Sequence, residues 1–198
     1  MFISYHHAND QAYKTELLRQ NELNRVFIDG SVDTGDVSDS LSDEAIRRKI
    51  RDDYLRDTTV TVLLVGTETI NRKHIDWEIY SSMFDGTVNK KSGVLVINLP
   101  STSCTLCTSG HPAVKDRLYR DVSSWTTIND RNEYERRYPL MPARIIDNLL
   151  ASDAKISVVE WDRIISDWEG FGLLLDEVYS SRSSCTYDLR RPLRRRNS

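Results

Sequence analysis

Apolar residues recur in short blocks through the first hundred positions, and their spacing changes from block to block. "FISYH" (2–6) is a brief strand-like run, and "QAYKTELLRQNEL" (11–23) follows it with Tyr13, Leu17 and Leu18 at helical spacing. "RVFIDG" (25–30) reads as a second strand, and "SVDTGDVSDSL" (31–41) as a loop rich in Ser, Asp and Gly. Ser42 then supplies a capping hydroxyl, with Asp43 and Glu44 in the first turn of a helix whose buried face is Ile46, Ile50 and Tyr54. "TTVTVLLVG" (58–66) is apolar and β-branched almost throughout, the signature of a central strand covered on both faces. A helix over "NRKHIDWEIYSSMFDG" (71–86) turns Ile75, Ile79 and Met83 inward, and "GVLVINLP" (93–100) is a further strand ended by Pro100.

Strand and helix alternating in this way predict a parallel sheet with right-handed crossovers and helices on both faces, an α/β doubly wound fold. Four strands lie within the first hundred residues, and "SSWTTIND" (123–130) is a candidate fifth. Beyond residue 100 the pattern weakens. "STSCTLCTSGHP" (101–112) is a loop, "RNEYERRYPLMP" (131–142) is polar and interrupted by Pro139 and Pro142, and "ARIIDNLLAS" (143–152) is a short helix. A stronger helix covers 160–180, with Trp161, Ile164, Ile165, Trp168, Phe171, Leu175, Val178 and Tyr179 in phase and a bend at Gly170 and Gly172. The chain therefore divides into an α/β domain (1–130), a C-terminal helical extension packed on it (131–185) and a basic, disordered tail (186–198).

Charge modifies this picture. The last eleven residues hold five of the 27 basic residues and one of the 30 acids, so the body is more acidic than the net charge of −3 suggests. An acidic body argues against nucleic acid as a partner, because phosphate-backbone binding needs clustered Lys and Arg. No apolar run reaches the roughly 20 residues that span a bilayer, and "MFISYHH" lacks the pattern of a secretory leader. A cytoplasmic protein with no membrane partner is the expectation. Three cysteines, an odd number, argue against a disulfide framework. Cys104 and Cys107 form one C-x-x-C with His111 nearby. A structural zinc site takes four ligands, normally from two such knuckles, so no metal is expected.

In doubly wound sheets ligands bind beyond the carboxyl ends of the strands. That rule nominates "SYHHAND" (4–10), "DGSVDTGD" (29–36), "GTETINRKH" (66–74) and the loop after Leu99. Glycine-rich phosphate cradles and a nucleophile elbow are absent. Asp29, Asp33, Asp36, Asp39 and Asp43 offer oxygen ligands for a divalent cation, but their spacing fits no calcium loop, and turn and cap chemistry accounts for most of them. Of His6 and His7 only one can face a site, since neighbours on a strand point to opposite faces, and His6 is the candidate for ligand hydrogen bonding. Glu78 lies about 100° from the middle of the Ile75–Ile79–Met83 stripe, on the boundary between core and surface, with Trp77 further round. There it serves either the helix dipole or a ligand.

"FISY" resembles the first box of TIR domains, whose fold is flavodoxin-like. More specifically, "FISYHH", "VFIDGS", "LSDEAIRRKI" and "TVTVLLVGTETINRKHIDWEI" resemble the TIR-like domain of ThsB, the sensor protein of Thoeris anti-phage defence, over roughly residues 1–100. The resemblance implies an enzyme for which NAD+ is substrate rather than resident cofactor. Such an enzyme cleaves the nicotinamide–ribose bond and releases a cyclic ADP-ribose isomer or related second messenger. It implies Glu78 as the catalytic carboxylate, with Phe2, Ser4, Tyr5 and His6 around the ribose and nicotinamide and Trp77 flanking the pocket. A phage trigger protein and a homo-oligomeric assembly are further implied partners. The chain departs from the TIR pattern at His74, where Trp is usual, and in the loop after residue 30, which lacks the usual proline. A non-catalytic TIR-like interaction module and a nucleoside deoxyribosyltransferase-like enzyme share the same fold class.

Overall fold

The computed structural model describes residues 1–30, 41–87 and 89–197. Four strands, β1 (Phe2–Ser4), β2 (Val60–Val65), β3 (Gly93–Asn98) and β4 (Ile156–Glu160), form one all-parallel sheet in the order β1-β2-β3-β4. Its register pairs Ser4 with Leu63, Leu63 with Val96 and Val96 with Val158. Eight helices surround it among the described residues: α1 (His7–Asn24), α2 (Asp43–Lys49), α3 (Lys73–Met83), α4 (Lys115–Leu118), α5 (Arg131–Arg137), α6 (Ala143–Leu150), α7 (Trp161–Ser166) and α8 (Trp168–Ser181). The doubly wound α/β class read from the alternation is the fold observed.

Both faces of the sheet are covered. Val60, Val62 and Leu64 point into a core shared with α1, α7 and α8, while Leu63 and Val65 point into one shared with α3, α5 and α6. This is the period-2 alternation of a strand, with both of its faces apolar. A third, smaller core joins Phe2, Ile46, Ile50, Tyr54, Leu55, Trp77 and Leu193. The predicted helix face of Ile46, Ile50 and Tyr54 is thus buried, and Ser42 accepts a hydrogen bond from Ala45 N at 3.2 Å as its N-cap. Beyond Lys49 the helix widens into a π-helical turn, Ile50–Tyr54.

Three segments differ from expectation. "RVFIDG" is not a strand. Arg25, with φ of 50°, ends α1 in the left-handed conformation. Phe27 then exchanges two hydrogen bonds with the Asn21 side chain and packs on Trp168 and Phe171. Toward β1 the described residues make only isolated bonds, Gly30 N donating to Met1 O at 2.8 Å and the Met1 amino group to Ile28 O at 2.7 Å. The segment therefore runs beside β1 without a continuous ladder. "SSWTTIND" also stays irregular, and the fourth strand is Ile156–Glu160, inside the region read as a helical extension. Finally, the 160–180 helix is two helices. They part at Asp167, whose carboxylate caps α8 through Gly170 N at 2.9 Å, and not at the glycines.

Residues 186–197, expected to be a free tail, follow a defined path across α6 and α3. Asp188 N donates to Asn148 Oδ1 at 2.7 Å, and Arg144 donates to the Arg191 and Pro192 carbonyls at 2.9 and 3.1 Å. Arg194 N donates to Asp76 Oδ2 at 2.9 Å, and Leu193 is buried in the third core. Several of the tail's arginines meet acids of the body or of the tail itself: Arg190 pairs with Asp188, Arg191 with Asp147 and Arg195 with Asp43. Charge that reads as a solvated basic tail is largely internal pairing. Among the described residues no helix is long and apolar enough to cross a membrane.

Candidate active site at the mouth of the first two strands

β1 is only three residues long, so its carboxyl end comes at once, and the side chains around it divide by strand alternation. Phe2 and Ser4 face α3, whereas Ile3 and Tyr5 face the core on the other side. α3 leaves the carboxyl end of β2 through a 3-10 turn and runs back along the sheet, which brings its second turn against β1. Ser4 Oγ donates to Glu78 Oε2 at 2.7 Å. The pair joins residues 74 positions apart, and no local pattern predicts it.

Glu78 is 5% exposed. Periodicity places it at the core boundary, but α3 is buried nearly all round: Ile75 and Ile79 on the sheet side, Trp77 on the side closed by Phe2, α2 and Leu193. Burial disfavours the carboxylate and pushes its pKa up to about 7. The Ser4 hydroxyl and the positive charge of Lys14 oppose the shift without cancelling it. A carboxyl held between its two protonation states near neutrality is a candidate for chemistry.

The other expected site residues are placed as follows. Tyr5 donates its hydroxyl to Gln11 Oε1 at 2.5 Å and stacks on His7, with Lys14 Nζ 5.2 Å above its ring. His6 caps the start of α1; its Nδ1 is buried without a hydrogen-bond partner, and desolvation, followed by the nearby Arg72, lowers its pKa, which favours the neutral ring. Trp77, expected to flank a pocket, is fully buried in the third core and donates Nε1–H to Arg194 O at 2.7 Å. Phe2 lies in the same core. These two aromatics hold α3 against β1 and the C-terminal segment; they support Glu78 from behind. His74 is exposed and meets Trp77 edge-on at 5.1 Å. Asp33, Asp36 and Asp39 lie outside the described residues.

One acid at this mouth goes unnoticed in the sequence. Asp10, on the first turn of α1, is 2% exposed, and its Oδ2 has no hydrogen-bond partner. Desolvation raises its pKa. It lies against Gly66, the residue that follows β2: a Cβ on Gly66 would stand 2.4 Å from Asp10 Oδ2. Only glycine admits the carboxylate there. The available signal was a glycine directly after a central strand, the usual place for a close approach. Arg72 and Glu68 pair at 2.9 Å on the turn above. The carboxyl ends of β1 and β2 thus carry two polar contacts, Ser4 with Glu78 and, at the start of α1, His6 with Asp10 beside Gly66, and each includes an acid whose ionisation burial opposes.

Elsewhere, among the described residues no three His, Cys, Asp or Glu side chains converge as metal ligands, Cys104, Cys107 and His111 included. Both ring nitrogens of His111 are engaged, Nδ1 by Ser157 Oγ at 2.8 Å and Nε2 by Ser181 Oγ at 3.1 Å, while Cys185 lies in the α3–α6 core.

Comparison with family models matches residues 2–103, just over half of the chain, to one described as "Thoeris protein ThsB, TIR-like domain". Comparisons with curated proteins and with solved structures gave no match. The matched span contains β1–β3, α1–α3 and Ser4, His6, Asp10 and Glu78.

Proposed function

The chain belongs to the TIR-like domain family of the Thoeris protein ThsB, and from that premise we propose that it is an NAD+-consuming enzyme of anti-phage defence. In this reading it cleaves the nicotinamide–ribose bond and forms a cyclic ADP-ribose isomer as second messenger. The observation that carries the reading is Glu78: a buried carboxyl at the strand mouth, oriented by Ser4 and poised near pH 7.

The chemistry suits a single carboxylate. Cleaving an N-glycosidic bond builds positive charge on the ribose, and an ionised acid in a low-dielectric site stabilises that charge. The leaving group is already a cationic pyridinium, so no general acid is required. Ser4 holds the Glu78 carboxylate in one orientation, which limits its reorganisation as charge develops. Water excluded by the surrounding core favours attack by a group of the substrate itself, and hence cyclisation, over hydrolysis. His6, its neutral ring favoured and its Nδ1 free, supplies hydrogen bonding beside the ribose. A phage protein as trigger and self-association as the active form belong to the same reading.

Ionisation of Glu78 sets the pH dependence. In the free protein the active carboxylate forms as pH rises through about 7. The cationic nicotinamide favours the ionised form, so kcat should titrate at lower pH than kcat/KM. The test is mass spectrometry of NAD+ incubated with purified protein, alone and in extract from infected cells, comparing wild type with Glu78→Gln. Nicotinamide release that depends on Glu78 is expected. Absence of release from the triggered wild type, or equal release by the variant, overturns the enzyme reading in favour of an interaction module.

A further inference from the structure

Among the described residues the fold buries two arginines almost completely, Arg144 at 1% and Arg51 at 3% exposure. Arg144 is fully served: Nε and Nη2 donate to the two Asp76 oxygens at 2.8 and 3.0 Å, and two carbonyls take further hydrogens. Arg51 is not. Its Nη1 reaches Ser92 Oγ at 3.5 Å, the outer limit of a hydrogen bond, and its Nε has no partner. No described carboxylate forms an ion pair with it. A guanidinium cannot shed its charge, and Asp52 and Asp85 attract this one only from a distance, so a buried guanidinium without a direct ion pair carries a standing penalty.

Arg51 sits at the start of the π-helical turn that ends α2 and borders a cleft of about 230 Å³ between that turn and the α3–β3 loop. Arg47 and Arg48, four and three residues earlier, line the same cleft, with Thr87 and Asn89 opposite. Like charges at these helical spacings repel, so the face is unfavourable without an anion. Two acids offset part of this charge: Asp52, which lines the cleft on its exposed side, and Asp85 both attract Arg51 without pairing with it, so three guanidiniums face two carboxylates. Asp52 accepts from Asn89 Nδ2 at 2.7 Å, Asp85 lies within 4 Å of Lys90 and Lys91, and Arg48 pairs with exposed Glu44. Arg47 is held in place over the Phe84 ring, 3.8 Å from its centre.

We propose that this cleft is a binding site for a phosphate group, with Arg51 as its buried anchor and Arg47 and Arg48 closing over the outer oxygens. Three guanidiniums present more donors than one carboxylate can accept, which favours a phosphate dianion with several acceptor oxygens. The site is separate from the Glu78 group. Ser92, the contact of Arg51, precedes β3, whereas Ser4, the contact of Glu78, ends β1, so the two lie at opposite ends of the parallel sheet.

The test is thermal unfolding of the full chain in sodium phosphate and in sodium chloride of equal ionic strength. Wild type is expected to gain Tm with phosphate over the chloride control, by mass action on the folded state. Arg51→Met keeps the stem and removes the charge. It should melt in chloride no lower than wild type, because an unpaired buried charge is gone, and its response to phosphate should be lost. The double variant R47Q/R48Q changes half-buried and exposed side chains and should weaken apparent phosphate affinity about tenfold or more; it decides the question if Arg51→Met does not fold. Titrations with AMP and adenosine identify the source. Binding of AMP but not adenosine assigns the terminal phosphate of a nucleotide, and binding of inorganic phosphate alone assigns a free anion. A wild type that responds equally to phosphate and chloride, or an Arg51→Met variant that responds like wild type, overturns the proposal.

Discussion

Replacing Glu78 by Gln should stabilise the folded protein at neutral pH while abolishing the proposed activity. Burial raises the Glu78 pKa from 4.5 to about 7, so the folded state binds this proton more tightly than the unfolded state does. Below 4.5 both states are protonated and the group imposes no penalty. Between 4.5 and about 7 the penalty grows, and above that it is complete. At about 1.4 kcal/mol per pKa unit, the full penalty is about 3 kcal/mol. Gln is neutral throughout. Its carbonyl can still accept from Ser4, but its amide hydrogens enter a site built for an acid, at a cost of about 1 kcal/mol. The net expectation is a gain of about 2 kcal/mol for Glu78→Gln near pH 8, a rise in Tm of roughly 4–8 °C for a chain of this size. The gain should shrink and reverse as pH falls toward 4.5. His111, held near pKa 4, loses stability as pH falls below its unfolded value of 6.5, but it is common to both proteins and drops out of the difference. Urea unfolding of both proteins, from about pH 5 to about pH 8, reads this directly. A stability difference that does not vary with pH would refute the burial argument, whatever its sign.

Three further outcomes follow from other contacts. Arg144→Ala leaves Asp76 without its bidentate partner and frees the Arg191 and Pro192 carbonyls. It should cost about 3–5 kcal/mol in chemical denaturation, and limited proteolysis should find the C-terminal segment first. Gly66→Ala collides with the Asp10 carboxylate and should destabilise by about 1–3 kcal/mol, whereas adding Asp10→Ala should recover most of the loss in a double-mutant cycle. For His111 the folded pKa is depressed to about 4, so its contribution is present above 6.5 and is lost as pH falls toward 4. His111→Gln should flatten that acid limb of the stability–pH curve, measured by urea unfolding.

β2 and β3 were legible because a strand covered on both faces is apolar or β-branched at nearly every position, as "TVTVLLVG" and "GVLVIN" are. Ser42 was legible as a helix start because its capping is local. β4 was not: "ISVVE" is short, lies between two helical patterns, and is a strand because β3 offers it a paired edge. "RVFIDG" has the opposite history. It has strand composition, but the strand beside it is the three-residue β1, too short to template a ladder, and Phe27 engages its backbone groups with Asn21 of α1 instead.

The candidate site divides along the same line. Sequence alone determined the doubly wound class, the placing of α3 after β2, and Glu78 as an acid near a strand mouth, because each follows from periodicity and connection rules within one or two elements. Tertiary structure decided the rest. Trp77 is buried because Phe2, α2 and residues from the far C-terminal end close over α3, and Glu78 because β1 brings Ser4 against it; a helix wheel cannot contain such distant neighbours. The pairing of Ser4 with Glu78, the lodging of Asp10 against Gly66 and the unpaired charge of Arg51 share that origin. Each depends on which surfaces meet, and desolvation, the force that shifts these groups, exists only once they have met.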